Sequence, residues 1–295
     1  MNNVKKNSYK LITAVVTAIM IMLSIIFNTQ NVSSTATSSS RTYWKHDYSN
    51  PNLALYTDYT LSVNTINNNP PAGINTIFPP NNMVRDYDTS VVRLSIGGTG
   101  FIIGNHVIAT AGHCVYSQED DEFINFTIDI VDTDNSVIET IYPRYVHVNQ
   151  TFAQSNSYSP NYDYALIYVT EDLSSYGSFK MGAPLSSYIS SNGQVIVSGF
   201  PQEYPAGYNG LDWGIRFKAS GNIISATSKV IHYDADMING DSGGPVYVEE
   251  AIYVNNQLSE YKTVIAINVA QDNNYNYGVR VNSDILKFYY GNSNI

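Results

Sequence analysis

The segment Asn239-Gly-Asp-Ser-Gly-Gly-Pro245 decides more about this 295-residue chain than any other stretch. Glycines around Ser242 leave its Oγ uncrowded, and they allow backbone conformations that turn successive N–H groups toward one point. A serine that attacks a carbonyl group needs such donors for the oxyanion that forms. The segment therefore indicates a nucleophilic serine at position 242, with a glycine-rich turn between two strands as the plain structural alternative.

The same segment matches G-x-S-x-G, the nucleophile turn of α/β-hydrolases. In those enzymes the histidine base follows the serine in the chain. Here all five histidines precede Ser242; they are His46, His106, His113, His147 and His232. The α/β-hydrolase interpretation therefore fails because it has no base.

The base that we predict is His113, in the motif TAGHC (110–114), which begins at the end of the strand-like run VIATA (107–111). Neutral imidazole can accept the serine proton and later return it to a leaving group. Of the other histidines, His106 is interpreted as a strand-entry residue and His46 lies in a segment predicted to be removed. His147 and His232 lie in strand-like runs, where we expect surface or core roles.

The predicted acid is Asp163, which opens the apolar run YALI (164–167). At a strand start its carboxylate would be partly buried and would hold the histidine tautomer. Many aspartates open strands without any catalytic role, so the order of the three residues decides. His113, Asp163 and Ser242 follow the His–Asp–Ser order of the chymotrypsin type, whereas subtilisins have Asp–His–Ser.

From about residue 84 the chain consists of ten short apolar runs with the length and composition of β-strands. They fall into two groups, 84–175 and 190–282, which indicates a sandwich or a barrel. His113 and Asp163 lie in the first group and Ser242 in the second. A helix is predicted only at the C-terminus, where Ser283 would cap a short segment.

Three motifs, TAGHC, YDYALI (162–167) and GDSGGP (240–245), together resemble the chymotrypsin-like (trypsin-fold) serine endopeptidases over residues 77–295. Among these, the secreted bacterial glutamyl endopeptidases are the most similar branch. The resemblance implies an all-β domain of two six-stranded antiparallel barrels with the site in the cleft between them. It implies Ser242 as nucleophile, His113 as general base and acid, and Asp163 as the residue that orients the histidine. The backbone N–H groups of Gly240 and Ser242 would form the oxyanion hole, without a metal or cofactor.

The predicted specificity residues depart from the pattern of that branch. Glutamyl endopeptidases use a histidine and a serine or threonine to bind the substrate carboxylate, and the corresponding positions here are Asn268 and Met237. Asp236 lies six residues before Ser242, where trypsin-like enzymes carry the acid that pairs with substrate Arg or Lys. A buried carboxylate there would repel glutamate and favour a cation. We interpret P1 as basic or polar, with glutamate as one alternative and Asp236 as a mere turn cap as another.

Asp241 precedes the nucleophile, as the corresponding Asp does in trypsin-like zymogens, where a freed N-terminal ammonium pairs with it. We hypothesise that Asp241 is part of the same activation switch and pairs with a new N-terminal amine at Ile74 or Ile77. The alternative is that Asp241 pairs with a Lys or Arg side chain of the same domain. The chain has no Lys or Arg between residues 46 and 84 and no Glu before Glu119. Neither tryptic nor glutamyl self-cleavage could create such an end, so a separate activating protease that cuts before Ile is predicted.

The N-terminal 75 residues differ in character from the rest. Three lysines followed by the uncharged run 11–27 predict a signal peptide over 1–36, with an uncleaved anchor as the alternative. Residues 37–75 are rich in Ser, Thr, Asn and Pro and are interpreted as a propeptide or flexible linker without regular structure. Residues 76–295 form the predicted protease domain. The prediction is a protein secreted from a Gram-positive bacterium, with no stable membrane association after signal removal.

Composition limits the partners. Fifteen basic and 25 acidic residues give a net charge of −10, which argues against a nucleic-acid partner. A single cysteine, Cys114, rules out an intrachain disulfide and a Cys-based zinc site. The expected partners are protein or peptide substrates and the activating protease. The competing hypothesis is a catalytically inactive binding protein of the same fold, whose mark would be a broken triad.

Overall fold

A computed structural model describes residues 37–48, 55–63, 83–184, 186–202, 214–254, 257–272 and 275–292. The predicted signal peptide lies outside the described residues. Among the helices in the described part, none is both long and apolar enough to cross a membrane.

Strands make up most of the described chain. Their bounds are β1 Thr37–Asp47, β2 Leu55–Val63, β3 Val84–Arg85, β4 Val91–Leu94, β5 Gly98–Gly104, β6 Val107–Thr110, β7 Tyr116–Ser117, β8 Glu122–Phe123, β9 Ile128–Val131, β10 Val137–Ile141, β11 Tyr145–Asn149, β12 Ala165–Tyr168, β13 Lys180–Met181, β14 Gln194–Gly199, β15 Phe217–Ala226, β16 Val230–Tyr233, β17 Pro245–Val254, β18 Gln257–Gln271 and β19 Asn276–Arg280. The helices are α1 Gln150–Ala153, α2 Ser186–Ser190 and α3 Ser283–Asn292, and 3₁₀ turns lie at Gly112–Cys114, Pro160–Tyr162 and Ser174–Tyr176.

The second half of the chain forms a closed barrel of six strands. Their order is β18-β17-β14-β15-β16-β19, and β19 pairs back onto β18. Successive side chains of a strand point to opposite faces. On β14 this places Val195 and Val197 in the barrel interior, whereas Ile196 joins the core shared with the first half of the chain.

The first half forms an open sheet with the strand order β10-β9-β4-β5-β6-β12-β11. The all-β architecture of two units is confirmed, but this unit is a half-barrel rather than the closed six-stranded barrel of the prediction. One edge of β11 pairs with β12, and the other pairs with β1, Tyr43–Asp47 lying against Tyr145–Asn149. Strand β1 therefore occupies the edge that closure through β11 would need.

The sequence analysis assigned no regular structure to residues 37–75, yet β1 and β2 both lie there. The exposed edge of a sheet recruits extended chain, and Tyr43 and Trp44 favour strands. The composition of residues 37–75 did not predict these strands, because it describes the segment alone and not the sheet edge with which β1 pairs. The assignment of 37–75 as a propeptide remains a prediction.

The C-terminal helix is present as predicted, but its cap is one residue earlier than expected. The Oδ1 atom of Asn282 accepts from the N–H groups of Asp284 at 2.9 Å and Ile285 at 3.1 Å, which is N-cap geometry. Tyr289 is buried and donates its hydroxyl to the Ala165 carbonyl at 2.8 Å. Helix α3 is thereby fixed to the start of β12, two residues from Asp163.

Candidate active site

His113 and Asp163 lie at one edge of the first sheet. Strands β6 and β12 pair antiparallel with Thr110 opposite Ala165, so the residues after β6 and before β12 emerge side by side. Asp163 Oδ2 lies 2.7 Å from His113 Nδ1, and Asp163 Oδ1 accepts from the His113 N–H at 2.9 Å. The carboxylate thus holds both the ring and the backbone of the histidine.

The Asp163 carboxylate fixes the tautomer of His113. As an acceptor it requires the proton on Nδ1, which leaves the lone pair of Nε2 available as a base. Burial alone would lower the pKa of His113, but the charge of Asp163 and its hydrogen bond raise that pKa well above its usual value. The pair is therefore built to stabilise an imidazolium ion.

The turn that carries His113 depends on Gly112. A Cβ atom at this position would lie 2.9 Å from the Phe152 ring and 3.0 Å from Asp163 Oδ1. Any side chain at position 112 would push the carboxylate away from the His113 N–H.

Ser242 lies on the loop between β16 and β17, and the structure brings this loop against the first sheet. The Ser242 carbonyl accepts from the Thr99 N–H at 2.8 Å, and the Cys114 Sγ lies 3.5 Å from the same oxygen. Cys114 directly follows His113 in the chain. The three residues of the predicted triad therefore come from three separate segments that meet where the barrel joins the half-barrel.

The glycines of this loop are required by its path. Gly240 and Gly243 have φ values of +101° and +87°, a region that side chains disfavour. A Cβ at Gly240 would also lie 2.3 Å from the Phe200 carbonyl oxygen. Within the part of the chain that the structure describes, the N–H groups of Gly240 and Ser242 have no acceptor.

Thr99 is a residue of this site that the sequence analysis missed. It lies on β5 and is fully buried. Its N–H donates to the Ser242 carbonyl, its Oγ1 donates to the Gly240 carbonyl at 2.8 Å, and Oγ1 accepts from the Phe200 N–H at 3.0 Å. One threonine of the half-barrel thus holds the serine loop of the barrel at two points.

The predicted specificity residues lie in different environments. Asp236 is exposed, so its carboxylate is not buried as the sequence analysis assumed, although its charge remains available to a cation. Partial loss of water around the carboxylate, and then the negative charge of Asp234, raise the pKa of Asp236. Met237 is buried and packs in the interior of the barrel.

Asn268 is also buried, and both polar atoms of its side chain have a hydrogen-bond partner. Its Oδ1 accepts from the Tyr233 hydroxyl at 2.5 Å, and its Nδ2 donates to the Asp241 carbonyl at 2.9 Å. The sequence analysis did not find Tyr233, which lies 35 residues away from this partner. Asn268 therefore acts here as a brace for the serine loop.

The Asp241 carboxyl group is completely buried. Burial raises its pKa to about 8, against a hydrogen bond from the Ile238 N–H, which lowers it. Oδ2 accepts that bond at 3.0 Å, whereas Oδ1 has no hydrogen-bond partner. The described residues contain no Lys or Arg in an ion pair with Asp241, so the internal partner considered from the sequence is absent from them.

Comparison with known proteins adds to this geometry. Residues 98–251 match the family model of a trypsin-like peptidase domain. The chain is 30% identical over 201 residues to a glutamyl endopeptidase of Bacillus licheniformis, covering 66% of this chain and 59% of that protein. It is 29% identical over 200 residues to an extracellular metalloprotease of Bacillus subtilis, covering 64% and 56%. The chain thus spans less than two thirds of the length of either relative.

The fold is similar to that of a solved Glu endopeptidase in complex with MPD. The TM-score is 0.60 at 15% sequence identity, and the match covers 75% of this chain and 100% of the solved one. At such low identity this likeness concerns the fold alone. The family match, in contrast, rests on sequence and includes the segments of His113, Asp163 and Ser242.

Proposed function

Because the chain belongs to the trypsin-like peptidase family, we propose that it is a serine endopeptidase that cleaves protein or peptide substrates through an acyl-enzyme. The observation that carries this proposal is the buried Asp163 carboxylate, 2.7 Å from His113 Nδ1, beside the loop of Ser242. A histidine held in one tautomer by a buried carboxylate, beside a glycine-rich loop that carries a serine, is the kind of arrangement that acyl transfer uses.

In the proposed mechanism the Ser242 Oγ attacks the scissile carbonyl carbon while His113 Nε2 takes its proton. Asp163 stabilises the imidazolium that forms, which agrees with the raised pKa of His113. His113 then protonates the leaving amine, and the C–N bond breaks. A water molecule, deprotonated by His113, attacks the acyl-enzyme and releases the acid product.

The oxyanion of the tetrahedral intermediate would be stabilised by the N–H groups of Gly240 and Ser242. Neither group has an acceptor within the described residues, so both are available to donate to a substrate oxygen. Donors of this kind contribute about 3 kcal/mol each to transition-state stabilisation.

For specificity we propose a basic or polar P1 residue, with glutamate as the alternative. Met237 offers no donor for a glutamate carboxylate, and the buried Asn268 amide already accepts from Tyr233 and donates to Asp241. Residues 76–295 carry ten basic and 23 acidic residues, a net charge of −13, which disfavours acidic substrates at long range. Cleavage of a peptide library tests this, and cleavage predominantly after Glu would establish the alternative.

We further propose that the protein is secreted and activated by another protease that removes residues up to Gly73 or Thr76. The buried, unsatisfied Oδ1 of Asp241 supports the switch hypothesis, because a new N-terminal ammonium is the kind of partner that it needs. The signal peptide, the cut and the Gram-positive origin are inferred from the sequence.

A fluorophosphonate probe tests the proposed activity without knowledge of P1. We expect the processed protein to be labelled at Ser242 and expect the variants Ser242→Ala and His113→Ala to remain unlabelled. Ser136, an exposed serine in the turn between β9 and β10, provides the matched control Ser136→Ala, which should be labelled like the wild type. If the folded wild type is not labelled, the inactive binding protein becomes the better interpretation.

A further inference from the structure

Tyr158 contacts both members of the His113–Asp163 pair, although no motif pointed to it. It lies in the loop between α1 and the 3₁₀ turn at Pro160–Tyr162. Its hydroxyl lies 2.9 Å from Asp163 Oδ2 and 3.3 Å from the Val269 carbonyl oxygen on β18. The phenol therefore stands between the acid of the half-barrel and a strand of the barrel.

The hydroxyl completes the set of donors around a fully buried carboxylate. Asp163 Oδ1 accepts from the His113 N–H, and Oδ2 accepts from both the His113 ring and the Tyr158 hydroxyl. Buried charge without such donors is costly. Burial, and then the charge of Asp163 and its hydrogen bond, raise the pKa of Tyr158, so the hydroxyl stays protonated and remains a donor.

The ring of Tyr158 also touches His113 directly. The two ring centroids are 6.2 Å apart with an interplanar angle of 76°, which is an edge-on contact. Yet Tyr158 is 46% exposed, so it contributes little to the hydrophobic core. The polar contact and the edge-on contact, rather than core packing, distinguish this tyrosine.

The loop holds Tyr158 in place through short-range bonds. Gln118 Nε2 donates to the Phe152 carbonyl at 2.6 Å and to the Ser155 carbonyl at 3.3 Å. The Ser155 hydroxyl donates to the Ser157 carbonyl at 2.6 Å. These bonds fix the backbone on the N-terminal side of the tyrosine and so limit where its hydroxyl can lie.

We propose that Tyr158 is a positioning residue of the proposed hydrolysis: its hydroxyl holds the Asp163 carboxylate toward His113 and draws part of its charge away from the imidazole. This role rests on the proposed function. Two donors, the His113 ring N–H and the Tyr158 hydroxyl, share the negative charge of the Asp163 Oδ2 atom. Without the phenol, Asp163 interacts more strongly with His113 alone and is also freer to rotate.

The groups around His113 and Asp163 determine how loss of the Tyr158 hydroxyl would change the pKa of His113. The titratable groups that face His113 are Asp163 from before β12, Tyr158 from the loop and Cys114 from its own turn. Asp163 also interacts with Tyr289 of α3. Removal of the Tyr158 hydroxyl removes a competitor for the Asp163 charge, so the pKa of His113 rises. Since the neutral histidine is the active form, the acid limb of the rate profile moves to higher pH.

The test is Tyr158→Phe, which keeps the ring, with Tyr142→Phe as the matched control at an exposed tyrosine. The measured quantity is the second-order rate of Ser242 labelling by a fluorophosphonate as a function of pH. We expect the acid-side midpoint to rise by about half a pH unit to one pH unit and the plateau rate to fall about threefold to tenfold. Tyr142→Phe should match the wild type in both.

A second variant keeps the test decisive if the phenylalanine variant unfolds. Fluorotyrosine at position 158 retains the shape and makes the phenol a stronger donor, so the midpoint should move to lower pH than in the wild type. A profile unchanged in either folded variant would overturn the positioning role. Absence of labelling in the wild type would instead refute the proposed function, so the two failures are distinguishable.

Discussion

Thr99 shows at the scale of one residue how the half-barrel controls the serine loop. Its Oγ1 bonds both the Gly240 carbonyl and the Phe200 N–H in a fully buried setting. Thr99→Val keeps the shape and leaves both groups unpaired. We expect a loss of about 1–3 kcal/mol in the free energy of unfolding, because buried unsatisfied groups cost that much.

Chemical denaturation and the rate of Ser242 labelling measure this effect together. Thr133→Val, at an exposed threonine, is the control and should change stability by no more than about 0.5 kcal/mol. If Thr99→Val behaves like the control in both measurements, Thr99 does not brace the loop.

Asp241 predicts a pH dependence of stability for the unprocessed chain. Its pKa in the fold is about 8 against 3.8 for the unperturbed group, so the folded state binds more protons than the unfolded state between these values. Its contribution is fully present below pH 3.8 and is lost as pH rises through about 8, with a slope of up to about 1.4 kcal/mol per pH unit. Asp241→Asn should remove this slope.

The measurement is the difference in unfolding free energy between wild type and Asp241→Asn from pH 5 to 8, which cancels the other titrating groups. An unchanged difference over that range would contradict a protonated Asp241. In the processed enzyme the same variant should lose activity, since an amide cannot pair with an ammonium. Intact activity there would refute the switch hypothesis.

The residues that the sequence predicted for the site and those that it did not predict differ in one respect. His113, Asp163 and Ser242 each lie in a contiguous motif with a recognisable neighbourhood, and their order along the chain was informative. Thr99 acts on Gly240 across 141 positions, and Tyr158 reaches Val269 across 111. Such contacts leave no local pattern, because they exist only once the two halves are folded together.

At the scale of elements, the cap of α3 distinguishes the sequence prediction from the structure. Asn282→Ala should cost about 1 kcal/mol of stability, because it removes the acceptor of two N–H groups at the helix start. Ser283→Ala, which the sequence analysis would have made the damaging change, should be nearly neutral. Thermal unfolding of the two variants decides between them, and the reverse order would restore Ser283 as the cap.

Strand prediction succeeded where apolar runs were unbroken and failed where small residues interrupt them. Strand β15 contains Gly221 in the sequence ASGN (219–222), which resembles a turn. In the fold a Cβ at Gly221 would lie 2.3 Å from the Ala235 N atom, so the glycine permits close approach of another segment. Strands β10 and β11 are separate because Pro143, which lies between them, lacks the N–H group that a ladder needs.

At the scale of the whole molecule, the two halves share a hydrophobic core that is separate from the interior of the barrel. Ile196, Tyr247 and Ile267 of the barrel belong to the same buried cluster as the strands of the half-barrel. The buried Arg216, just before β15, adds polar links by donating to the carbonyls of Val91 and Val131 of the half-barrel. The sequence predicted two strand groups, but the interface between them depends on which face each strand presents and on where the chain closes the barrel.

The N-terminal strand leads to the last prediction, which concerns maturation. With the signal peptide removed, a cut before Ile74 or Ile77 would leave residues 37–73 or 37–76 as a separate peptide. Strand β1 pairs Tyr43–Asp47 with Tyr145–Asn149. The next residue, Tyr48, donates its hydroxyl to the Ile124 carbonyl at 2.5 Å and packs edge-on against Phe126. We therefore expect the cleaved peptide to remain bound to the mature domain.

N-terminal sequencing and intact-mass measurement of the purified protein, after size-exclusion chromatography, test both the cut and the retention of the peptide. Two co-eluting chains, one of them starting at Ile74 or Ile77, are the expected result. Tyr48→Ala should release the peptide because it removes the hydrogen bond and the ring contact, whereas Tyr275→Ala, at an exposed tyrosine of the barrel, should not. A single chain that starts near residue 37 would refute the propeptide. An edge strand is stabilised by its covalent connection to the domain as well as by its backbone hydrogen bonds. A mature chain without its peptide would therefore show that the hydrogen bonds between β1 and β11 are too weak to hold the peptide once the chain is cut.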